Sequence, residues 1–544
     1  MKNKTQQPVE LKAMSEMTAK HTKAHLLVRV FNVHANEQQY LLLTASDIDD
    51  KRALRRRLLD AGVSRALSDD EWKLIYAELC KTPEEYFVFC DRPGYVSVND
   101  ELCYITTSAH VIGEYTGYPP FPVPDSKAFL GDESSQGTLK QWQKHVAEPA
   151  LNSEYMVLAL CNAFAGYCIH FTSIGSGGFH FYGQSSGGKS TTLRVAASVR
   201  GSGNTISSWK MTDAGCEEIA EARNHGLLIL DELKLLDRNP EEAARKAMDL
   251  CYMLGDGRGK KRSAGYQKSP ASWHLAMLSA GELSLGQHAR DGGLERMKGE
   301  EVRLVDIPVD DELAYGVLGS HPGSMNAGQF IELIQSQCGL YYGTAGPEFV
   351  RKLLTKDEDE IRARLEHLIE EFLNHHEMNC CDSGVLRRVA LRFALAYASG
   401  VFAVMMKILP CTDSDIMKAV SSCYYRARKQ PVVKKTQIFK EGFISALLSP
   451  DMVRIKSGRG TKYDYESQGI LAVTMKNQSV LAIKKEVFKE SLLCDEGMAI
   501  SLLREHEVLL ADSKGRNTRQ IPVNGEHLSR RYCFKLNALQ KFLN

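Results

Sequence analysis

The stretch 178–193, Gly-Phe-His-Phe-Tyr-Gly-Gln-Ser-Ser-Gly-Gly-Lys-Ser-Thr-Thr-Leu, limits what this chain can fold into more than any other. Gly183, Gly188, Lys189 and Ser190 fill the pattern G-x-x-x-x-G-K-[ST], in which a glycine-rich turn aims successive backbone N–H groups at phosphate oxygens. That chemistry assigns Gly183, Gln184, Ser185, Ser186, Gly187, Gly188, Lys189, Ser190 and Thr191 to a nucleotide cradle. Lys189 reaches the outer phosphates, and the Ser190 hydroxyl ligates Mg²⁺. The flanks agree with this reading. Phe179 to Tyr182 is an aromatic run suited to a buried strand, and Thr191 to Val199 has helical apolar spacing.

At 544 residues the chain is too long for one core, and length alone predicts three or four domains. No run of about eighteen apolar residues predicts a membrane span. Residues 1–24 are polar and Lys-rich without an apolar centre, which predicts a flexible tail rather than a secretory signal. The fourteen Cys form no C-x-x-C pair, so reduced thiols and a cytoplasmic location are expected. A net charge of +1 excludes a uniformly basic nucleic-acid coat but leaves room for local basic patches.

Residues 25–137 read as a β-rich N-terminal domain with a turn at Asp91-Arg92-Pro93-Gly94 and no catalytic constellation. Residues 138–320 read as the nucleotide-binding core. Within it, Asn224 to Glu232 carries an apolar run ending in two carboxylates, as expected of a buried parallel strand whose C-terminal end faces the nucleotide. Asp231 then holds the hydrated Mg²⁺, and Glu232 orients or deprotonates the attacking water. Ser279, expected at the end of the strand 273–279, is the candidate phosphate sensor. Arg296 is the first candidate for an arginine finger supplied to a neighbouring subunit, with Arg290 and Arg303 as alternatives. Between the acidic strand and the 273–279 strand lies a run dense in glycine and positive charge. Such a run is ordinarily a solvated loop. Its position in a ring ATPase favours a channel contact with nucleic-acid backbone through Arg258, Lys260, Lys261 and Arg262.

Residues 321–430 are helical by pattern and read as a lid, with Arg387 or Arg388 as a second sensor. Residues 431–544 carry helices followed by a strand pair with a basic turn, the outline of a winged helix that touches DNA through Lys514, Arg516 and Arg519.

The chain resembles the phage and mobile-element ATPases grouped as domain of unknown function 927, described as helicase-like. The residues that carry the likeness are 178–198, the run His225-Gly-Leu-Leu-Ile-Leu-Asp-Glu-Leu, Ser279-Ala-Gly-Glu, Glu301-Val-Arg-Leu-Val-Asp-Ile-Pro and Asp91-Arg-Pro-Gly. The resemblance implies an α/β fold with an AAA+-like P-loop NTPase core. It also implies ATP and Mg²⁺ as cofactors, a homo-oligomer of hexameric type, and DNA as partner in replication or mobilisation. Two competitors follow from the same residues: an ATP-driven protein-remodelling or defence ATPase, which the basic loop disfavours, and an ATPase fused to a primase or nuclease, for which the N-terminal region lacks a carboxylate or His cluster.

Overall fold

The computed structural model of the chain describes residues 9–14, 25–81, 86–98, 100–122, 126, 128–185, 187–236, 239–260, 271–294, 296–309, 316–318, 325–378, 383–428, 452–454, 466–475, 478–490, 500, 503–504, 507–512, 514–523 and 526–543. The chain divides into two compact units, Met1–Ala427 and Arg428–Asn544.

The first unit begins with an antiparallel sheet of β1 (Val9–Met14), β2 (His25–Asn32) and β3 (Glu37–Thr44). Residues 9–14 are therefore not part of a flexible tail. Val9, Leu11 and Ala13 alternate with Glu10 and Lys12 at strand period, and β1 pairs with β2 from Val9 opposite Val30 to Met14 opposite His25. Helices α1 (Ala45–Asp49), α2 (Lys51–Asp60) and α3 (Asp69–Leu79) complete this layer, with Leu54, Leu58, Ile75 and Leu79 buried against Val28, Val30, Leu41 and Leu43. Next come β4 (Val88–Cys90), β5 (Gly94–Val98), β6 (Glu101–Ile105), β7 (Val111–Ile112) and β8 (Pro120–Pro122); β5, β6 and β7 form one antiparallel sheet, while β4 pairs with β8.

The core follows through α4 (Leu139–Trp142), α5 (Glu148–Ala150), α6 (Glu154–Cys168), β9 (Gly177–Tyr182), α7 (Lys189–Ala197), β10 (Ile206–Ser208), α8 (Asp213–Ala222), β11 (Leu227–Asp231), α9 (Pro240–Asp256), β12 (Ala276–Gly281), α10 (Leu285–Asp291), α11 (Lys298–Glu301) and β13 (Leu304–Pro308). The strands stand in the order β10-β11-β12-β9-β13, every pair parallel. Parallel strands joined by helices bury both faces, which is why β9 and β12 read as continuous apolar or aromatic runs. The order has one consequence for chemistry. The C-terminal end of β12 falls between the end of β9, where the glycine-rich loop starts, and the end of β11, where the two carboxylates stand.

Helices α12 (Ala327–Cys338), α13 (Ala345–Leu353), α14 (Glu358–His375), α15 (Gly384–Met405) and α16 (Asp413–Ala427) do not form a separate lid. They share one hydrophobic core with α6, α7 and the sheet, in which Phe179 and Phe393 pack at 4.6 Å between ring centroids. α15 is long and apolar enough to cross a membrane, contrary to the sequence expectation. Its apolar window is 67% buried inside this unit, and that burial accounts for the composition. Arg392 on α15 donates to the carbonyls of Gly175, Ser176 and Val302, at the edge where β9 begins. The first turns of α15 thus lie by the sheet edge remote from the glycine-rich loop. Arg387 pairs with Glu370 at 3.8 Å, and Arg388 is exposed.

In the second unit, β14 (Met452–Arg454), β15 (Ile470–Met475), β16 (Gln478–Lys484), β17 (Thr518–Arg519) and β20 (Arg531–Lys535) form a sheet in the order β14-β15-β16-β20-β17. β18 (Pro522–Val523) pairs with β19 (Glu526–His527), and helices α17 (Lys485–Glu490) and α18 (Leu536–Leu543) flank the main sheet. A strand at 531–535 was expected, whereas the β15–β16 hairpin was not. The helix expected over Thr436 to Leu448 lies outside the described residues. A five-stranded sheet with two described helices is a broader β-structure than the strand pair of a winged helix.

Candidate active site

Gly183 and Gly188 bracket the loop in backbone conformations that only glycine holds easily, φ +155° and +85°. A Cβ on Gly183 would sit 2.5 Å from the Val309 carbonyl oxygen, and one on Gly188 would sit 2.6 Å from Val317 Cγ2. Gly188 is also the N-cap of α7 and offers no side chain to its first turn, so the N–H groups at that helix start have no side-chain cap. Among the cradle residues, Gln184 and Ser185 are exposed, Ser186 lies outside the described residues, and the buried Thr191 hydroxyl reaches Gln335 Oε1 on α12 at 3.2 Å.

Lys189 folds over the loop and donates to the carbonyls of Gly183 (2.8 Å) and Gln184 (2.5 Å). Burial lowers its pKa, while the carboxylates of Glu282 and Asp231 pull in the opposite direction. Asp231 ends β11, and its Oδ1 accepts from the Glu232 N–H at 2.9 Å. Glu232 is exposed and sits at φ +63°, a left-handed conformation costly for a residue with a side chain and common where a catalytic group must project. Ser190 is exposed on the first turn of α7. An uncapped helix start, an ammonium, a hydroxyl and two carboxylates at neighbouring strand ends form a donor set that fits a nucleotide phosphate chain with Mg²⁺.

Ser279 does not face this site. It is 1% exposed and lies two residues inside β12, opposite His180 of β9 and Leu230 of β11. Its Oγ accepts from Trp209 Nε1 at 2.9 Å and meets His180 Nδ1 at 3.0 Å. His180 Nε2 bonds the Leu283 carbonyl at 3.0 Å and must be the protonated nitrogen, leaving Nδ1 to accept from Ser279. Burial lowers the pKa of His180, in keeping with a neutral ring.

The residue that does reach the site is Glu282. Its Oε1 accepts from Ser185 Oγ in the glycine-rich loop at 2.7 Å, and its Oε2 accepts from Lys234 Nζ, two residues beyond Glu232, at 3.0 Å. These hydrogen bonds hold its pKa below the usual value. The sequence places the strand end at Ser279, whereas β12 runs on to Gly281. The signal available was Ser279-Ala-Gly-Glu itself, with Glu282 following a glycine at the end of the run.

The candidate fingers also separate. Arg296 is locked inside its own subunit, its side chain 7% exposed, with Nη1 on Asp306 at 2.7 Å and Nη2 donating to the Leu304 carbonyl. Arg296 is thus engaged within its own chain in this structure. Arg303 stacks over Tyr252 at 4.5 Å and donates to the Gly299 carbonyl, at the edge of the sheet where β13 begins. Arg290 stands exposed on α10.

Of the basic loop, Arg258 is exposed, whereas Lys260 Nζ pairs with Asp213 of α8 at 2.6 Å. Lys261 and Arg262 lie outside the described residues. In the second unit Lys514 is exposed, Arg516 binds Asp512 at 2.8 Å, and Arg519 lies in β17 and is half-buried.

With this geometry in place, comparison with solved structures gives the one described as "SCCmec type IV Cch - active helicase", at 17% identity and a TM-score of 0.58, covering 98% of this chain and 94% of that one. This likeness supports the P-loop-like core within a mixed α/β fold. "The A form apo structure of NrS-1 C terminal region-CTR" matches at 12% identity and a TM-score of 0.26 over 77% of this chain and 92% of that chain, too low a score to bear on the fold. None of the curated proteins matches. Residues 4–268, which include the Asp91–Gly94 turn, the glycine-rich loop and the acidic strand, match the family described as Domain of unknown function (DUF927).

Proposed function

We propose that this chain is an ATP-hydrolysing motor with an AAA+-like core that assembles as a hexameric ring and moves along DNA in the replication or mobilisation of a phage, satellite or other mobile element. The observation that carries the reading is the meeting of the glycine-rich loop, Asp231-Glu232 and Glu282 at the C-terminal ends of the three adjacent strands β9, β11 and β12. The helicase named among the similar structures lends its function to the proposal through fold likeness alone.

The residues divide the work as follows. The loop amides and Lys189 bind the phosphates, and Lys189 must exchange the Gly183 and Gln184 carbonyls for phosphate oxygens. Ser190 and Asp231 would hold Mg²⁺, which supplies charge neutralisation to phosphoryl transfer. Glu232 takes a proton from water or orients it. Glu282 senses the outer phosphate, because an anion arriving there repels its carboxylate and competes for Ser185. Arg290 is the arginine offered to the neighbouring copy, and Leu283 and Met297, before and after its helix in the chain, are exposed apolar residues that suit a subunit contact. Arg258, Lys260, Lys261 and Arg262, with Lys514, Arg516 and Arg519, are the DNA contacts.

The test is ATP hydrolysis with and without single- and double-stranded DNA, alongside mass by light scattering. A monomer whose hydrolysis ignores DNA overturns the reading.

A further inference from the structure

The Asp91-Arg92-Pro93-Gly94 turn has no place in the nucleotide site, yet its contacts are specific. Gly94 sits at φ +110°, where a Cβ would lie 2.7 Å from both Asn224 Nδ2 and His225 Nδ1. Asn224 Nδ2 donates to the Pro93 carbonyl at 3.0 Å, and the Tyr95 N–H donates to His225 Nδ1 at 3.0 Å. The turn is thereby fixed on the residues just before β11. From that footing Arg92 reaches Ser272, its Nη1 donating to the carbonyl at 3.0 Å and to the hydroxyl at 2.5 Å.

Ser272 belongs to the returning leg of the basic loop between α9 and β12. The two described legs run antiparallel: Arg258 bridges to Ser272, the Gly259 N–H donates to the Ala271 carbonyl at 2.8 Å, and the Trp273 N–H donates to the Gly257 carbonyl at 3.0 Å. The outgoing leg is held by α8, where Glu217 Oε1 accepts the Lys260 N–H at 3.1 Å and Asp213 pairs with its ammonium. On the returning leg, Trp273 Nε1 donates to the Leu254 carbonyl at 3.0 Å, and Asn224 Oδ1 accepts the His274 N–H at 2.9 Å. Among the described residues, Arg92 is the contact shown from the N-terminal part of the chain to this loop. A two-residue ladder is too short to hold itself in water, so its geometry depends on such anchors.

We infer that the Asp91–Gly94 turn is the mount of the basic loop, with Arg92 the positioning residue that fixes its returning leg and so its response to DNA. The returning leg continues directly into β12, whose far end carries Glu282 against the glycine-rich loop. One rigid strand therefore joins the mounted loop to the phosphate-sensing end of the site. The inference rests on the reading of this loop as a DNA contact, and its test separates the two.

The experiment uses the full-length chain with Arg92→Ala, Arg92→Lys and Ser272→Ala, each matched to the wild type by thermal melting. Hydrogen exchange is followed at the Gly259 and Trp273 amides, which close the base of the loop. Hydrolysis is followed with and without a single-stranded thymidine oligonucleotide. In Arg92→Ala these amides exchange at least about tenfold faster, basal hydrolysis stays within about twofold, and the oligonucleotide-stimulated fraction falls about tenfold. Arg92→Lys restores most of both, because the two bonds leave from one nitrogen; Ser272→Ala gives a smaller effect, because the carbonyl acceptor remains. Unchanged exchange at Gly259 and Trp273 in Arg92→Ala overturns the mount, as does unchanged stimulation. A wild type that ignores the oligonucleotide overturns the proposed function instead, and the mount is then decided by exchange alone.

Discussion

Lys189, Asp231 and Glu232 were legible because their chemistry dictates their spacing: a phosphate cradle and a strand-end acid pair each fit within a few residues of chain. Partners distant in sequence were not. Nothing local reveals that Arg296 closes on Asp306 or that Ser279 is taken up by Trp209 and His180. Substitutions sort these roles. Glu232→Gln should retain nucleotide binding and lose about 10²- to 10⁴-fold in hydrolysis, as measured by equilibrium binding beside steady-state rates. Lys189→Ala should lose binding itself. Glu282→Gln is expected to behave differently from both. Removing the negative charge while keeping the shape weakens the contacts to Ser185 and Lys234 that compete with phosphate, so triphosphate binds several-fold tighter while turnover falls. Equal losses in binding and turnover would count against a sensing role for Glu282. Arg296→Ala leaves Asp306 half of a broken buried pair and should cost about 3–5 kcal/mol of stability, seen as a lowered melting temperature.

At the level of elements, the parallel sheet was legible from its apolar runs, but strand ends were not, and at β12 an error of two residues moved the candidate sensor off the site. β12 is instead held from beneath by the bonds Trp209 to Ser279 to His180, while Asp306 Oδ1 and Oδ2 accept the Leu285 and Gly286 N–H groups at the start of α10. A second seam gathers His170, His225 and His274 beside Tyr95, with His170 and His225 at 4.5 Å between ring centroids. Burial lowers the pKa of each, that of His170 to about 4. These rings stay neutral when folded and gain a proton near pH 6.5 when unfolded, so the unfolded state binds more protons below that pH. The stability they contribute is complete above pH 6.5 and falls by up to about 1.4 kcal/mol per histidine for each unit below it, for His170 down to about pH 4. Thermal melts between pH 7.5 and about pH 5 should show this decline, and His170→Phe should flatten it.

For the whole molecule, Pro431 reads as a boundary and the compact units part at Ala427. The basic turn near Asp512 suggests the strand pair of a winged helix, and the described sheet of the unit is built on the β15–β16 hairpin, in which Ile470 to Met475 runs opposite Gln478 to Ile483. Its apolar residues do not alternate cleanly: Val480 to Ile483 is buried throughout, so the strand lacked the period-2 signal. The helices after β13 were misplaced for a related reason, since a helix apolar on most sides reads the same whether it forms a lid or a core. That helical layer is packed on the sheet, and the proposed function takes the arginine of the nucleotide site from a second copy. In the proposed ring it is Arg290 of the adjacent copy, and this makes activity depend on assembly. Specific hydrolysis should rise with protein concentration across the association midpoint found by light scattering. Arg290→Ala should lower turnover about 10³-fold without weakening nucleotide binding. Mixed with Glu232→Gln, which retains its own Arg290, it should recover part of its activity, because each Arg290→Ala site beside such a copy receives the missing charge. Recovery absent under conditions where the two variants demonstrably co-assemble would remove Arg290 from the shared site.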